Sequence, residues 1–443
     1  MIEDYNPWWV SRDRIGEVEA YRRFEESDVR WIPDVVDRLS LRPFSLNFVF
    51  GPRQVGKTTA LVLLAKRLLD GGVDPSAIFY LSCDRLADYR ELDEVLGDYL
   101  RFRRANGVSS SFMLLDEVTY PREWHRALKG RIDGGDLRND VLVVTGSLSM
   151  SAKGEMEAFP GRRGMGRNLL MLPLPFPRYA ELLGLKVPRG GLDFALSGSA
   201  RYSHLVTELN DALGRYLVTG GFPSAVRENF RTGRVPGGVV ADFISSVASD
   251  INKLRRSETF FKLAVRGIIE RTSSELSYQT LARSFGVGTV KTAISYVELL
   301  ERLYLLKVVE QVDQDGNVLV RRGKKLYFTD PFIYRALSSW TFADVPDESK
   351  LVEGVVATHL SRLFDVFYAR AGEREIDVAI KGDGDMVGLE VKFGRVRGLA
   401  RALGKIRRLY VLSRDEVDGN VIPASLFLAM LDVPQSVELN VLA

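Results

Sequence analysis

Gly51-Pro52-Arg53-Gln54-Val55-Gly56-Lys57-Thr58-Thr59 is the stretch from which the fold follows. It lies between a short apolar run, 46–50, and a segment, 57–69, in which Leu61, Leu64, Ala65 and Leu68 recur at helical spacing. Strand, glycine loop and helix in that order are the setting a phosphate-binding loop needs. Glycines let backbone amides wrap a polyphosphate, and the start of a helix adds about half a positive charge. Lys57 is expected to reach the β- and γ-phosphates of a nucleotide, and Thr58 to offer its hydroxyl to Mg²⁺. Gly51, Gln54, Val55, Gly56 and Thr59 are the other expected contacts of the loop. An ordinary strand-to-helix turn would need neither the second glycine nor Gly56-Lys57-Thr58.

Further strands are expected at 78–82, 112–115, 141–145 and 169–172, with helices at about 90–104 and 123–132. Strand alternating with helix predicts an α/β fold with a parallel sheet covered on both faces. The 112–115 strand runs into Asp116 and Glu117, at the sheet edge where such folds bind ligand. Asp116 is expected to hold Mg²⁺ through water, and Glu117 to polarise the attacking water. A guanine-reading Asn-Lys-x-Asp motif has its nearest candidate in Asn252-Lys253-Leu254-Arg255, which lacks the aspartate. ATP is therefore the expected nucleotide. Thr145-Gly146-Ser147 ends the next strand, where Ser147 would sense the γ-phosphate; a simple turn reads equally well. The loop Pro160-Gly161-Arg162-Arg163-Gly164-Met165-Gly166-Arg167 is either a solvated turn or the source of an arginine, Arg162, that neutralises transition-state charge. An arginine acting on a neighbouring copy would require a homo-oligomer.

The loop at 51–59, Leu114-Leu115-Asp116-Glu117, Thr145-Gly146-Ser147 and Pro160-Gly161-Arg162-Arg163 together resemble a prokaryotic family of AAA-type ATPases. Tyr5-Asn6-Pro7-Trp8-Trp9 is similar to archaeal members. The resemblance covers nearly the whole chain. It implies a P-loop core with a helical lid, a winged helix and a C-terminal α/β domain like the PD-(D/E)xK, restriction-endonuclease-like nucleases. The corresponding divisions are 1–45, an N-terminal extension; 46–186, the ATPase core; 187–262, the lid; 263–325, the winged helix; and 326–443, the nuclease-like domain.

Residues 277–287 resemble the first helix and turn of a helix-turn-helix, and 289–302 its second helix, with Ala293, Val297 and Leu300 inward. That helix sets Lys291 and Arg302 against Glu298 and Glu301, a poor phosphate attractor, so a protein partner is as well supported here as DNA. Further on, alternation puts Ile376, Val378 and Ile380 on one face of a strand and Asp377 on the other. In the next strand Leu389, Val391 and Phe393 oppose Glu390 and Lys392. With Glu353 on an upstream helix, Asp377 and Glu390 are expected to hold Mg²⁺ or Mn²⁺, and Lys392 to position water for metal-dependent cleavage. A hairpin with a solvated charged face is the alternative.

Lys and Arg number 61 against 58 acids, a net charge of +3, so any contact with nucleic acid must be local. Residues 391–414 hold eight Lys or Arg and no acid. Arg397, Arg401, Lys405 and Arg408 recur at near-helical spacing opposite Val396, Leu399, Leu403 and Ile406, which predicts a basic helix touching DNA. Arg outnumbers Lys by 46 to 15, a bias that genome composition or a thermophilic host also produces. The single Cys83 excludes an intrachain disulfide. Glu3 and Asp4 near the start, and the lack of any apolar run of about 18–20 residues, argue against a signal peptide and a membrane span. A cytoplasmic setting is expected.

Overall fold

The computed structural model describes residues 2–147, 159–372, 374–382, 385–394 and 402–439. The chain divides into two compact units, 1–172 with 435–443, and 173–434.

In the first unit the apolar runs become strands, β1 (Ser45–Phe50), β2 (Ile78–Ser82), β3 (Phe112–Asp116) and β4 (Val141–Gly146) almost wholly buried and β5 (Asn168–Met171) alternating between buried and half-buried. They pair in parallel in the order β5-β1-β4-β3-β2. Helices Lys57–Asp70, Tyr89–Ala105 and Trp124–Asp133 connect them, and the first buries Leu61, Leu64, Ala65 and Leu68 as its periodicity predicts. A polar residue in the middle of β1 is fully satisfied. Asn47 of β1 is fully buried, and its amide is satisfied by the Ser40 and Arg167 N–H groups and by the Ser40 and Leu142 carbonyls.

The segment before β1 is packed on the first unit, where Asn6, Trp8 and Trp9 close the β2 edge of the sheet. Asn6 Oδ1 accepts from Tyr80 N at 2.7 Å and Asn6 Nδ2 donates to Tyr80 O at 3.0 Å, so one side-chain amide imitates a neighbouring strand. Both Trp8 and Trp9 donate their indole N–H to Ile78 O, and Trp9 stacks on Phe102 at 4.1 Å. An open edge would template pairing with other chains, which this cover prevents. The opposite edge is covered from the far end of the chain. Residues Ser436–Glu438 (β13) pair antiparallel with β5, and Asp34 accepts from Gln435 N, Ser436 N and Ser436 Oγ. Ser436–Glu438 therefore belong to the first sheet, although they fall within the expected division 326–443.

The second unit contains helices Val206–Thr219, Pro223–Thr232, Gly237–Lys253, Glu258–Glu270, Tyr278–Ser284 and Val290–Arg302, then a mixed sheet. Its strands are β6 (Leu306–Val312), β7 (Lys325–Phe328), β8 (Val366–Ala371), β9 (Arg374–Lys381), β10 (Met386–Val391), β11 (Ile406–Ser413) and β12 (Val421–Pro423). The order is β12-β11-β10-β9-β8-β6-β7, with β8-β9-β10 antiparallel and β10-β11-β12 parallel. Because β6 pairs with both β7 and β8, the expected division at 325 falls at the start of β7, inside one sheet.

The basic helix expected over 391–414 is corrected in part. Residues 395–401, with Arg397 and Arg401, lie outside the described residues, but 406–413 is strand β11. Leu403, Ile406 and Leu409 join Val312, Ala369, Ile376, Ala379 and Met386 in one buried cluster, and parallel pairing with β10 outweighs the helical spacing of the charges. Lys405, Arg407 and Arg408 are exposed, and Arg408 pairs with Asp193 at 2.5 Å.

Candidate nucleotide site and carboxylate cluster

In the first unit the loop between β1 and helix Lys57–Asp70 takes a conformation its glycines permit. A Cβ on Gly51 would stand 2.1 Å from Met171 O, so no larger residue fits there without moving β5. Gly56 has φ +99° and Gln54 φ +64°, which turns successive backbone amides around the helix start. Lys57 is buried, and its ammonium donates to Gly51 O at 3.0 Å and Pro52 O at 2.8 Å.

Asp116, at the end of β3, is the meeting point. Thr58 Oγ1 donates to Asp116 Oδ2 at 2.6 Å, Thr145 Oγ1 donates to Asp116 Oδ1, and Tyr80 OH donates to Oδ2 at 3.2 Å. Burial, and then the charge of Asp116, push the Tyr80 phenol above its ordinary pKa, so it acts as a donor. Thr145 also accepts from Glu117 N at 3.1 Å, and Glu117 sits at φ +50°. The strand therefore ends before Glu117, a half-buried residue whose backbone N–H joins the network. A hydroxyl and a carboxylate at hydrogen-bond distance are the oxygen donors that Mg²⁺ takes, so Thr58 and Asp116 fit that ion. Val55 is buried and Thr59 half-buried, and the expected contacts 51–59 run from the end of β1 into the first residues of the helix.

Two expected residues are placed differently. Ser147 is half-buried and offers its carbonyl to Thr119 at 3.5 Å, whereas the hydroxyl joined to the acidic strand end is that of Thr145, two residues earlier. Arg162 forks onto Asp133, Nε to Oδ1 at 2.7 Å and Nη2 to Oδ2 at 3.1 Å. Its guanidinium is engaged at the end of helix Trp124–Asp133 and not in the Asp116 network. Thr145 belongs to Thr145-Gly146-Ser147, in which Ser147 was the expected residue, and Tyr80, in the middle of β2, carried no motif; both lie on strands parallel to β3.

The second unit brings two of the other expected residues, Glu353 and Asp377, around one that sequence reasoning missed. Lys325 Nζ lies 2.6 Å from Glu375 Oε1, 2.9 Å from Asp377 Oδ1 and 3.0 Å from Glu353 Oε1. The lysine side chain is fully buried, against 10% exposure for Glu353, 19% for Asp377 and 28% for Glu375. Glu353 Oε1 also accepts from Tyr327 OH at 2.5 Å, and Asp377 Oδ2 accepts from Val391 N at 2.9 Å. Burial and then the Asp377 charge push Glu353 up to about 7. Burial works against the Lys325 ammonium, yet Asp377, Glu353 and Glu375 outweigh it and hold its pKa above the usual lysine value. Glu390 is buried and paired with the half-exposed Lys392 at 2.8 Å. Among the described residues no three His, Cys, Asp or Glu side chains converge as a metal shell. The expected ligands Glu353, Asp377 and Glu390 therefore do not fit a divalent ion as they stand.

With this geometry in hand, comparison with known proteins identifies the class. Residues 44–180 match the AAA_14 family, an AAA domain, and residues 210–344 match a domain of unknown function, DUF8612. Residues 44–180 thus form an AAA-type P-loop ATPase domain. An uncharacterized protein of Methanocaldococcus jannaschii is 25% identical over 335 residues, 71% of this chain and 67% of that protein. Solved structures with local similarity include RuvB from Thermotoga maritima, at 16% identity and TM-score 0.28 over 68% of this chain and 88% of that one. AMPPCP-bound DnaA from Aquifex aeolicus follows at 14% and 0.24, over 67% and 93%. Such low scores add nothing to what the loop and sheet already show. No helix among the described residues is long and apolar enough to cross a membrane.

Proposed function

We propose that this protein is an ATP-hydrolysing AAA-type ATPase that acts on DNA. The observation that carries the reading is the contact of Thr58, from the phosphate loop, with Asp116, at the end of β3. It brings the loop that would hold the phosphates to the acidic strand end. Lys57 would leave the Gly51 and Pro52 carbonyls for the β- and γ-phosphates, exchanging neutral acceptors for charged ones. Thr58 and Asp116 would hold Mg²⁺, which when bound offsets the charge of the phosphate oxygens. Glu117 would take the proton of the attacking water, with its backbone pinned by Thr145. Arg162 is proposed as the charge-neutralising arginine only on release from Asp133, for a neighbouring copy in a homo-oligomer.

Support for a DNA role comes from the second unit. The order of helices Glu258–Glu270, Tyr278–Ser284 and Val290–Arg302 followed by β6 and β7 resembles a winged helix. Glu301 is turned toward the start of β6, where it accepts from Val308 N, and Glu298 stands 3.8 Å from Arg302. The acids that weakened the case for this helix are thus partly engaged, and Lys291, Arg321 and Arg322 remain exposed. Lys405 and Arg407 add exposed positive charge on the sheet, in the segment where a basic contact with DNA was expected. Metal-dependent cleavage is not part of the proposal, because Lys325 stands among its expected ligands.

The test is ATP turnover with and without a panel of single-stranded, duplex and branched DNA. Glu117→Gln should keep ATP affinity and lose about 10²-fold or more in turnover, the scale of a lost general base. Unchanged turnover removes Glu117 from the chemistry. Turnover and ATP affinity that ignore every DNA, together with no salt-sensitive binding, overturn the DNA assignment.

A further inference from the structure

The resemblance to metal-dependent nucleases and the side chains that are present disagree at one atom, the Lys325 ammonium. We infer that Lys325 takes the place of a divalent cation among Glu353, Glu375 and Asp377, so that this cluster has its cation within the chain and binds no metal.

An ammonium has three donors and no acceptor. Three carboxylates surround Nζ at 2.6–3.0 Å, so each donor has an anionic partner. A Tyr368 ring lies 5.7 Å from Nζ and adds a further favourable contact for a cation. Hard divalent ions need oxygens at about 2.0–2.6 Å around a common centre, and the ammonium occupies that centre. It has nowhere to swing. Lys325 begins β7, its backbone is registered against Val309 of β6, and its side chain is fully buried. The neighbouring Lys324 points to Glu310, a separate pair, and Lys392 serves Glu390.

Two of the carboxylates also accept from a second donor. Asp377 Oδ2 accepts from Val391 N, and Glu353 Oε1 accepts from Tyr327 OH as well as from the lysine. A metal entering from solvent would have to displace a charge-assisted hydrogen bond at each carboxylate and strand the ammonium in the interior, a cost of the kind that leaves buried charges paired. Three carboxylates against one ammonium still leave excess negative charge. Removing the ammonium should therefore convert the cluster from a metal-refractory site into one that takes a cation from solution.

The experiment is a Mn²⁺ titration of nucleotide-free protein followed by electron paramagnetic resonance, with melting temperature measured at each step. Wild type, Asp377→Asn, Lys325→Met and Lys325→Met/Asp377→Asn are compared. The inference predicts that Asp377→Asn removes no Mn²⁺ site from wild type. It predicts that Lys325→Met melts lower, gains one Mn²⁺ site and recovers several degrees on binding, and that the double variant loses that site. Should Lys325→Met fail to fold, Lys325→Met/Glu375→Gln, with one fewer uncompensated charge, gives the same readout. A Mn²⁺ site in wild type that Asp377→Asn abolishes overturns the inference. So does a folded Lys325→Met, or its Glu375→Gln companion, that gains no Mn²⁺ site.

Discussion

Arg103→Met should lower the stability of the first unit by about 3 kcal/mol without touching nucleotide binding. Asp140, immediately before β4, is fully buried, and Arg103 from helix Tyr89–Ala105 is its counter-ion. Asp140 Oδ1 accepts from Arg103 Nη1, from Ser111 N at 2.8 Å and from Ser111 Oγ at 3.0 Å, while Arg103 Nη2 donates to Asp136 O at 3.1 Å. Removing one member of a buried pair costs about 3–5 kcal/mol, because the other is left charged and dry. The lower end applies here, since both Ser111 donors stay on the carboxylate. Among the described residues Asp140 Oδ2 and Arg103 Nε have no hydrogen-bond partner, so the native pair itself is imperfectly compensated. For a domain of this size about 3 kcal/mol corresponds to a melting shift of roughly 6–12 °C. The pair lies where β3 and β4 begin, at the opposite ends of those strands from Asp116 and Thr145, so ATP affinity below the transition should hold. Urea and thermal unfolding followed by tryptophan fluorescence measure the loss, with Trp8 and Trp124 as buried reporters in the same unit. Arg103→Met/Asp140→Asn should recover part of it, because no uncompensated charge remains. A loss below about 1 kcal/mol, or a double variant no better than the single one, refutes the reasoning.

Thr145→Val removes a donor to Asp116 and an acceptor for Glu117 N at once. Turnover should fall about 10-fold, the value of one hydrogen bond to a charged group, with a smaller change in ATP affinity; equal turnover would make Ser147 the better candidate. Asp330 offers a pH test in the second unit. Burial pushes it up to about 7, against the pull of the Gly221 and Phe332 N–H groups it accepts from at 2.8 and 2.9 Å. The folded chain thus keeps a proton that the unfolded chain releases near 4, and this group's stabilisation falls as pH rises from about 4 through 7. Asp330→Asn abolishes that dependence, so its stability relative to wild type should improve between about pH 5 and 7, by at most about 1.4 kcal/mol per unit. A difference that stays flat across that range contradicts the assignment.

Much of the first unit was legible before any coordinates. The runs at 46–50, 78–82, 112–115 and 141–145 became β1 to β4 because a strand buried on both faces is written as an unbroken apolar word. Lys57, Thr58, Asp116 and Glu117 could be picked out because each lies within a few residues of a strand end. Harder to read were contacts between distant segments. Asn6 pairs with Tyr80 across 74 positions, and β13 pairs with β5 from much further along the chain, and nothing near either segment announces its partner. The basic segment misled for a related reason. Charges at near-helical spacing predicted a helix, yet Ile406 and Leu409 are claimed by a core to which β6, β8, β9 and β10 also contribute.

By itself, then, the amino-acid sequence determined the alternation of strands and helices and the phosphate loop, since both depend on neighbours a few residues apart. It also named Glu353, Asp377 and Glu390 as acids worth watching. Only the tertiary structure decided what answers their charge. Whether carboxylates meet a metal or an ammonium depends on separations of about 3 Å through space, and the residue that supplies the cation, Lys325, lies on another strand, 52 positions before Asp377. Electrostatic pairing follows distance and burial, and neither is written in the order of residues.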